Sequence, residues 1–179
     1  MKTIFFDWGG VIADDPGDVF LAKLLERVGA KPGQIQEIFK VYMKQFMRGE
    51  ITEQDYWAVL SDNYGFTIHK SISGEFKKWT GLKANEQVFA LVDEAKLKGW
   101  RTAILSNVIE PTYNVLNDAG FYDRFDIIIA SCKEGYAKPE REIYEVALAK
   151  ANASAHEAIF IDDKQSNLTP ADEMGFKTI

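Results

Sequence analysis

The first apolar run of the chain ends in a carboxylate and a pair of glycines. Residues 4–11 read IFFDWGGV, with bulky apolar side chains before Asp7 and the glycines behind Trp8. An uninterrupted apolar run is typical of a strand covered on both faces, and glycines let the backbone turn sharply. The pattern predicts a buried central strand that delivers Asp7 to its carboxyl end. The alternative is a strand and turn in which Asp7 only accepts hydrogen bonds from local amides.

The region that follows carries helical periodicity. Its apolar positions recur every three or four residues, and no strand-like alternation appears between residues 16 and 80. The predicted helices are stripes at 19–28 and 35–47, a helix capped by Thr52 with Asp55, and a shorter helix with Phe76 and Trp79. We therefore expect a helical insertion outside the sheet.

From Asn85 onward the pattern changes to alternating helices and strands. The predicted strands are 102–105, 125–130, 158–161 and 176–179, and the predicted helices are 88–95, 111–119, 140–150 and 165–174. Such alternation predicts an α/β protein with a parallel sheet and helices on both faces. Ligands of these sheets bind beyond the carboxyl ends of the strands.

Polar residues follow the predicted strands at that end. They are Asp7 after the first strand, Ser106 and Asn107 after the second, Lys138 in the loop after the third, and Asp162 and Asp163 after the fourth. Taken singly, each has a structural explanation: a turn, a loop lysine before a proline at the first helical position, or an acidic helix N-cap. Their coincidence at one edge favours a shared site.

Composition narrows the possible functions. Lys and Arg number 21 against 27 Asp and Glu, and the formal charge of −6 provides no basic stripe for nucleic acid, so we expect no nucleic acid partner. We find no signal peptide or spanning segment and expect no membrane partner. The single cysteine, Cys132, excludes an internal disulfide and indicates a cytoplasmic protein. We expect Cys132 to pack in a loop.

The same residues carry a resemblance to a known superfamily. The segments FFDWGGV, ILSN, AKPE and FIDDKQSN resemble, in this order, the motifs of the haloacid dehalogenase (HAD) superfamily. The segments DWGGVI, RGEITEQDYW and IDDKQSNLTPADEMGFKTI are most similar to the branch with the amino-terminal phosphatase of soluble epoxide hydrolase and bacterial glucose-1-phosphate phosphatases. The resemblance implies a HAD-like doubly wound core at 1–14 and 85–179, with an inserted helical cap at 15–84.

The resemblance also implies Mg²⁺-dependent hydrolysis of a phosphomonoester through an aspartyl phosphate. Asp7 is then the nucleophile, and the Lys138 ammonium neutralises both Asp7 and the transferring group. Mg²⁺ prefers hard oxygen ligands. The resemblance assigns it to the carboxylates of Asp7 and Asp163 and to the carbonyl of Gly9.

Further residues complete the expected site by supporting the metal and the phosphate. Asp162 is expected beside the metal, where it orients Lys138 or a metal-bound water. Ser106 and the amides of Asn107 would hold phosphate oxygens. Asn167 would make a supporting polar contact one helical turn further on. The expected partner is a small phosphorylated metabolite, with sugar phosphates among the candidates.

The sequence departs from the family pattern at position 9. Most phosphatases of the superfamily carry a second Asp there, which serves as a general acid for the leaving group and then as a base for water. Here the residue is Gly9, and a positioned acid is typically worth about 10² to 10⁴ in rate. The Gly9 carbonyl can still bind metal, and the glucose-1-phosphate phosphatase branch also tolerates Gly. We keep a phosphatase as the main hypothesis, with Asp14, Asp15 or water as the substitute.

Two alternative functions stay open. A haloacid dehalogenase-type hydrolase would use Asp7 to displace halide from carbon without a leaving-group acid, although Asp162 and Asp163 would repel a carboxylate substrate. A non-catalytic HAD domain that only binds phosphate is the other. Substrate choice should lie in the insertion, where several side chains could face the site, although helical spacing favours their burial. They are Tyr42, Phe46, Arg48, Tyr56 and Trp57.

Overall fold

A parallel β-sheet forms the centre of the protein, whose computed structural model describes residues 2–15, 17–28, 36–64 and 84–179. The strands are β1 (Thr3–Phe6), β2 (Arg101–Ser106), β3 (Ile127–Ala130), β4 (Ala158–Ile161) and β5 (Lys177–Thr178). Within the described ranges these five strands have the order β3-β2-β1-β4-β5, and each neighbouring pair is parallel. The predicted α/β fold with β1 at its centre is confirmed.

The helices fall into two groups along the chain. Three of them follow one another between β1 and the rest of the sheet: α1 (Gly17–Val28), α2 (Gln36–Met47) and α3 (Glu53–Tyr64). The others precede or connect the strands β2 to β5, with α6 and α7 both between β3 and β4: α4 (Glu86–Leu97), α5 (Glu110–Asp118), α6 (Ser131–Glu134), α7 (Arg141–Ala151) and α8 (Gln165–Glu173). The helix predicted around Phe76 and Trp79 lies outside the described residues. None of the described helices is both long and apolar enough to cross a bilayer.

Strand β1 is buried on both faces because consecutive side chains of a strand point to opposite sides of the sheet. Phe5 packs with Leu105 and Phe160 on one side, and Phe6 packs with Ile104 on the other. Both phenylalanines are at most 1% exposed, and each contributes about 1.5–3 kcal/mol by leaving water. This burial holds the strand that ends at Asp7 in a fixed position.

The register of the strands brings their carboxyl ends to one level. Phe6 pairs with Ile104 of β2 and with Ile161 of β4, so Asp7 and Asp162 follow neighbouring positions. The backbone N–H of Asp7 donates to the carbonyl of Ile161 over 2.9 Å, which continues the ladder to the strand end.

The region around β3 differs from the prediction in two respects. The strand begins at Ile127 rather than at residue 125, because the Thr102 N–H donates to the Asp126 carboxylate over 2.8 Å before the ladder starts at Ala103 and Ile127. Residues 131–134 form helix α6 instead of a loop, and the half-buried Cys132 lies in that helix. Short elements of this kind carry too little periodicity to be recognised from sequence.

Helices α2 and α3 pack on each other through aromatic side chains. Phe46 and Tyr56 stack with ring centroids 5.0 Å apart, and Tyr56 meets Trp57 edge to face at 4.9 Å. All three side chains are buried, as helical spacing predicted. The predicted capping box is present as well, because Thr52 N donates to Asp55 and Asp55 N donates to the Thr52 hydroxyl.

Candidate active site

Three carboxylates meet at the carboxyl edge of the sheet. Asp7 follows β1, Asp162 and Asp163 follow β4, and one oxygen from each lies within 4.8 Å of the others. Asp7 and Asp162 are buried, whereas Asp163 is exposed. Asp7 does accept a hydrogen bond from its neighbour Trp8 N at 2.7 Å. The clustering of the acids goes beyond the local turn that was the alternative interpretation.

The ammonium of Lys138 lies between two of these acids. Its Nζ is 2.9 Å from Asp7 Oδ1 and 2.6 Å from Asp162 Oδ2, and the lysine side chain is only 1% exposed. Buried charges require pairing of this kind because desolvation is costly. Lys138 does lie in the loop after β3, but Pro139 is not at the first helical position, since α7 begins at Arg141.

The backbone of Lys138 is fixed by the side chain of Asn107. The Asn107 amide donates to the Lys138 carbonyl over 2.8 Å and accepts from the Lys138 N–H over 2.8 Å. Asn107 therefore ties the end of β2 to the loop after β3. This use of the Asn107 side chain was not predicted from the sequence, where the residue was assigned to phosphate. Ser106 precedes it as the buried last residue of β2.

Asp162 is held by donors on both of its oxygens. Asn167 Nδ2 lies 3.0 Å from each oxygen, Lys164 N donates to Oδ1 over 2.8 Å, and the Lys138 ammonium binds Oδ2. The supporting polar contact of Asn167 thus falls on Asp162. The helix N-cap interpretation of the two acids does not apply, because Lys164 is the N-cap residue of α8 and no side chain caps that helix.

The glycine turn behind Asp7 lies directly under Asp163. Gly10 has a φ of +82°, a conformation that suits glycine. A Cβ on Gly10 would lie 2.5 Å from the carboxyl carbon of Asp163. The Gly10 N–H donates to the Ala13 carbonyl over 2.7 Å, which closes the turn. The Asp163 carboxylate therefore approaches the backbone that follows Asp7 only because residue 10 has no side chain.

The electrostatics of the cluster favour a bound cation. Burial raises the pKa of Asp7, the attraction of Lys138 opposes the rise, and the negative charge of Asp162 adds to it. Carboxylate oxygens around a common point are the donor set that hard divalent ions prefer. The carboxylates of Asp7, Asp162 and Asp163 therefore fit such an ion.

Comparison with known proteins decides the family. The family model of haloacid dehalogenase-like hydrolases matches residues 1–175. The chain belongs to this family. The match extends from β1 through the inserted helices to the end of α8, and only β5 lies beyond it.

Relatives of this HAD-like hydrolase carry the names of enzymes. Sesquiterpene phosphatase astK of Aspergillus oryzae is 34% identical over 176 residues, which cover 97% of this chain and 86% of that protein. Bifunctional epoxide hydrolase 2 of Sus scrofa is 27% identical, and the match covers all of this chain but 36% of that longer protein. Among solved structures, a HAD family enzyme of Bacteroides thetaiotaomicron in a magnesium complex superimposes with a TM-score of 0.82 at 23% identity, covering 100% of this chain and 92% of that one.

The HAD-like hydrolase has another carboxylate beside position 9. Asp15 follows the glycine turn, and its carboxyl carbon lies 3.6 Å from where a Cβ on Gly9 would be. Lys164 Nζ lies 2.9 Å from Asp15 Oδ2. Partial burial acts to raise the pKa of Asp15, but hydrogen bonds from Lys164 and the Gly17 N–H outweigh it and hold that pKa below its usual value. Sequence alone named Asp14 and Asp15 without distinguishing them.

Proposed function

We propose that this HAD-like hydrolase is a Mg²⁺-dependent phosphatase that hydrolyses a small phosphorylated metabolite. The observation that carries the proposal is the Asp7 carboxylate at the end of the central strand, with the Lys138 ammonium 2.9 Å from its Oδ1. A phosphomonoester is strongly anionic, so its hydrolysis requires a nucleophile and positive charge on the phosphoryl oxygens. The phosphatase relative that is similar over almost the full chain supports the same reaction.

Asp7 acts as the nucleophile in this proposal. Trp8 N and Lys138 Nζ both contact Asp7 Oδ1, and they hold the carboxylate at the strand end. A carboxylate oxygen forms a bond to phosphorus while the ester P–O bond breaks, and the departing alkoxide takes a proton from water. Water then hydrolyses the aspartyl phosphate, which releases inorganic phosphate and regenerates the carboxylate. Lys138 offsets negative charge on Asp7 and on the transferring group throughout.

Asp7, Asp163 and the Gly9 carbonyl would hold Mg²⁺, with Asp162 beside them orienting Lys138. Mg²⁺ bound there would neutralise the phosphate oxygens and bring two anions together. The arrangement of three carboxylates within 4.8 Å supports this assignment, as does the magnesium complex of the Bacteroides enzyme with the same fold. Ser106 and the backbone amides of Asn107 would bind phosphate oxygens at the neighbouring strand end.

Asp15 takes over part of the role that Gly9 cannot perform. Its carboxyl group lies against position 9, where the family usually carries its acid. An ionised carboxylate is suited to accept a proton from the water that attacks the aspartyl phosphate. The first step then proceeds without a strong general acid, which favours substrates with stable leaving groups, such as sugar 1-phosphates.

One assay tests the proposal. Purified protein is incubated with sugar phosphates, simple alkyl phosphates and sesquiterpenyl phosphates, with Mg²⁺ or with a chelator, beside the Asp7→Asn variant. We expect phosphate release that needs Mg²⁺ and disappears in the variant. Metal-independent halide release from a 2-haloacid would instead support the dehalogenase alternative. Phosphate binding without turnover of any substrate would support the non-catalytic alternative.

A further inference from the structure

An arginine at the end of an inserted helix reaches the loop that carries Lys138. Arg48 directly follows α2, and its Nε donates to Glu140 Oε2 over 3.0 Å. Arg48 Nη2 pairs with the other oxygen, Oε1, so the guanidinium contacts the carboxylate with two of its nitrogens. The two residues are 92 positions apart in sequence. Their side chains are 24% and 18% exposed, so the pair is largely shielded from water.

Glu140 closes the turn that contains Lys138. Its Oε2 accepts a hydrogen bond from the Ala137 N–H over 3.0 Å, and its own N–H donates to the Ala137 carbonyl over 2.8 Å. Lys138 lies inside this turn, and Asn107 holds its backbone from the other side. The carboxylate that Arg48 binds is therefore one of the groups that determine where the lysine lies.

The end of α2 also touches the core next to this turn. Gly49 has a φ of +69°, and a Cβ there would lie 2.4 Å from the carbonyl oxygen of Cys132 in α6. This close approach fixes the distance between the inserted helix and the segment that leads to Lys138. Lys44 binds the same Glu140 at 3.1 Å, but its side chain is 59% exposed. Its contribution should be small, because exposed ion pairs are screened by solvent.

We propose that Arg48 is a positioning residue for the catalytic lysine and couples the seating of the inserted helices to phosphoryl transfer. The proposal rests on the proposed function, in which Lys138 neutralises Asp7. When the helices are seated, Arg48 holds Glu140, the turn is closed and the Lys138 ammonium lies against Asp7. When they move away, Glu140 loses its cation, the turn loosens and Lys138 shifts. A misplacement of about 1 Å in a catalytic group costs up to about a hundredfold in rate.

The kinetic test compares Arg48→Met with Lys44→Met, which removes the other cation on the same carboxylate. With p-nitrophenyl phosphate and saturating Mg²⁺, we expect Arg48→Met to lower kcat by about tenfold to a hundredfold, with KM changed far less. Lys44→Met should keep both constants close to those of the parent enzyme. Arg48→Lys should recover activity only in part, because one ammonium cannot contact two oxygens as the planar guanidinium does.

A double-mutant cycle tests whether Arg48 acts through Glu140. If it does, Glu140→Gln combined with Arg48→Met should lower kcat no further than the more severe single substitution. Additive losses, a change in KM alone, or equal effects of Arg48→Met and Lys44→Met would overturn the proposal. Glu140→Gln removes the charge that Arg48 binds but keeps an oxygen for the Ala137 N–H. It therefore tests the same ion pair without depending on the folding of Arg48→Met.

A readout without catalysis separates this proposal from the proposed function. Hydrogen exchange of residues 137–140 should become faster in Arg48→Met and remain slow in Lys44→Met. If the parent protein releases no phosphate but the variants show this exchange pattern, the phosphatase assignment fails, whereas the positioning of the Lys138 turn by Arg48 stands. If it is an active phosphatase and exchange is the same in both variants, the coupling is refuted.

Discussion

At the residue scale, the absence of a side chain at position 10 shapes the proposed metal site. Gly10→Ala would place a methyl group 2.5 Å from the Asp163 carboxyl carbon at a φ of +82°. We expect Asp163 to be displaced and Mg²⁺ affinity, measured by calorimetry, to fall by about tenfold or more. Gly99→Ala is the matched control, since its φ is +76° and nothing lies within 4 Å of its added Cβ. Both substitutions carry the backbone strain, so equal effects on Mg²⁺ binding would refute the prediction.

Asp15 and Asp14 provide a second comparison between neighbouring residues. If Asp15 accepts the proton of the attacking water, Asp15→Asn should slow the hydrolysis of the aspartyl phosphate by about a hundredfold or more. The phosphorylated protein should then accumulate, as measured by mass spectrometry after acid quenching. Asp14→Asn should behave like the parent enzyme. Lys164→Met breaks the ion pair with Asp15 but keeps the Asp15 carboxylate, so it should not accumulate the phosphorylated protein. If it did, the slow hydrolysis would be due to loss of the ion pair rather than to loss of the base.

The Asp126 carboxylate allows a test of pH dependence away from the proposed metal site. Burial acts to raise the pKa of Asp126, but hydrogen bonds from Thr102 and Lys96 outweigh it and lower that pKa. A lowered pKa adds stability that is present above the unfolded pKa and lost as the pH falls through the folded value. Asp126→Asn should therefore lower the free energy of unfolding near neutral pH, by less than about 1 kcal/mol because the site is partly exposed. The difference should vanish in acid, and denaturant unfolding at several pH values measures it. A difference that persists at low pH would refute the electrostatic origin.

At the element scale, two hydrogen bonds between the Asn107 side chain and the Lys138 backbone form a clamp between the end of β2 and the loop after β3. This clamp determines where Lys138 lies. Asn107→Ala removes both hydrogen bonds to the Lys138 backbone. We expect a fall in kcat of about tenfold or more, since the lysine is no longer held in place. Asn85→Ala is the control, because the Asn85 side chain caps α4 by accepting from Gln87 N. It should lower stability by about 1 kcal/mol with little change in kcat, and a similar kcat for both variants would contradict the role of the clamp.

The elements show how far the sequence predicts the structure. The strand that carries Asp7 and the strand that carries Asp162 could be placed because apolar runs mark them and parallel strands share one edge. The partner of the Asn107 side chain could not, because it lies 31 residues away in a loop without periodicity. The same holds for the approach of Asp15 to Gly9, which depends on how the turn closes. Contacts between loops are set by tertiary packing rather than by local pattern.

At the scale of the whole molecule, the proposed Mg²⁺ site joins the ends of β1 and β4 in the middle of the sheet. An ion that binds only the folded chain, at a free concentration of one hundred times its Kd, adds about 2.7 kcal/mol to the free energy of unfolding. For a chain of this size, each kcal/mol shifts the melting temperature by roughly 2–4 °C. We therefore expect saturating Mg²⁺ to raise Tm by about 5–10 °C relative to chelator.

Two substitutions locate the origin of this stabilisation. Asp163→Asn should abolish the rise in Tm, because it removes a proposed ligand. Asp172→Asn changes an exposed acid on α8 and should keep the rise. An unchanged rise in Asp163→Asn would place the ion elsewhere.

The same melting curves test whether the inserted helices and the sheet unfold as one unit. If contacts such as Arg48 with Glu140 join them, the ion should shift a single transition in the parent protein, and Arg48→Met should show two transitions. A single shifted transition in Arg48→Met would show that other contacts are sufficient to join the helices to the sheet.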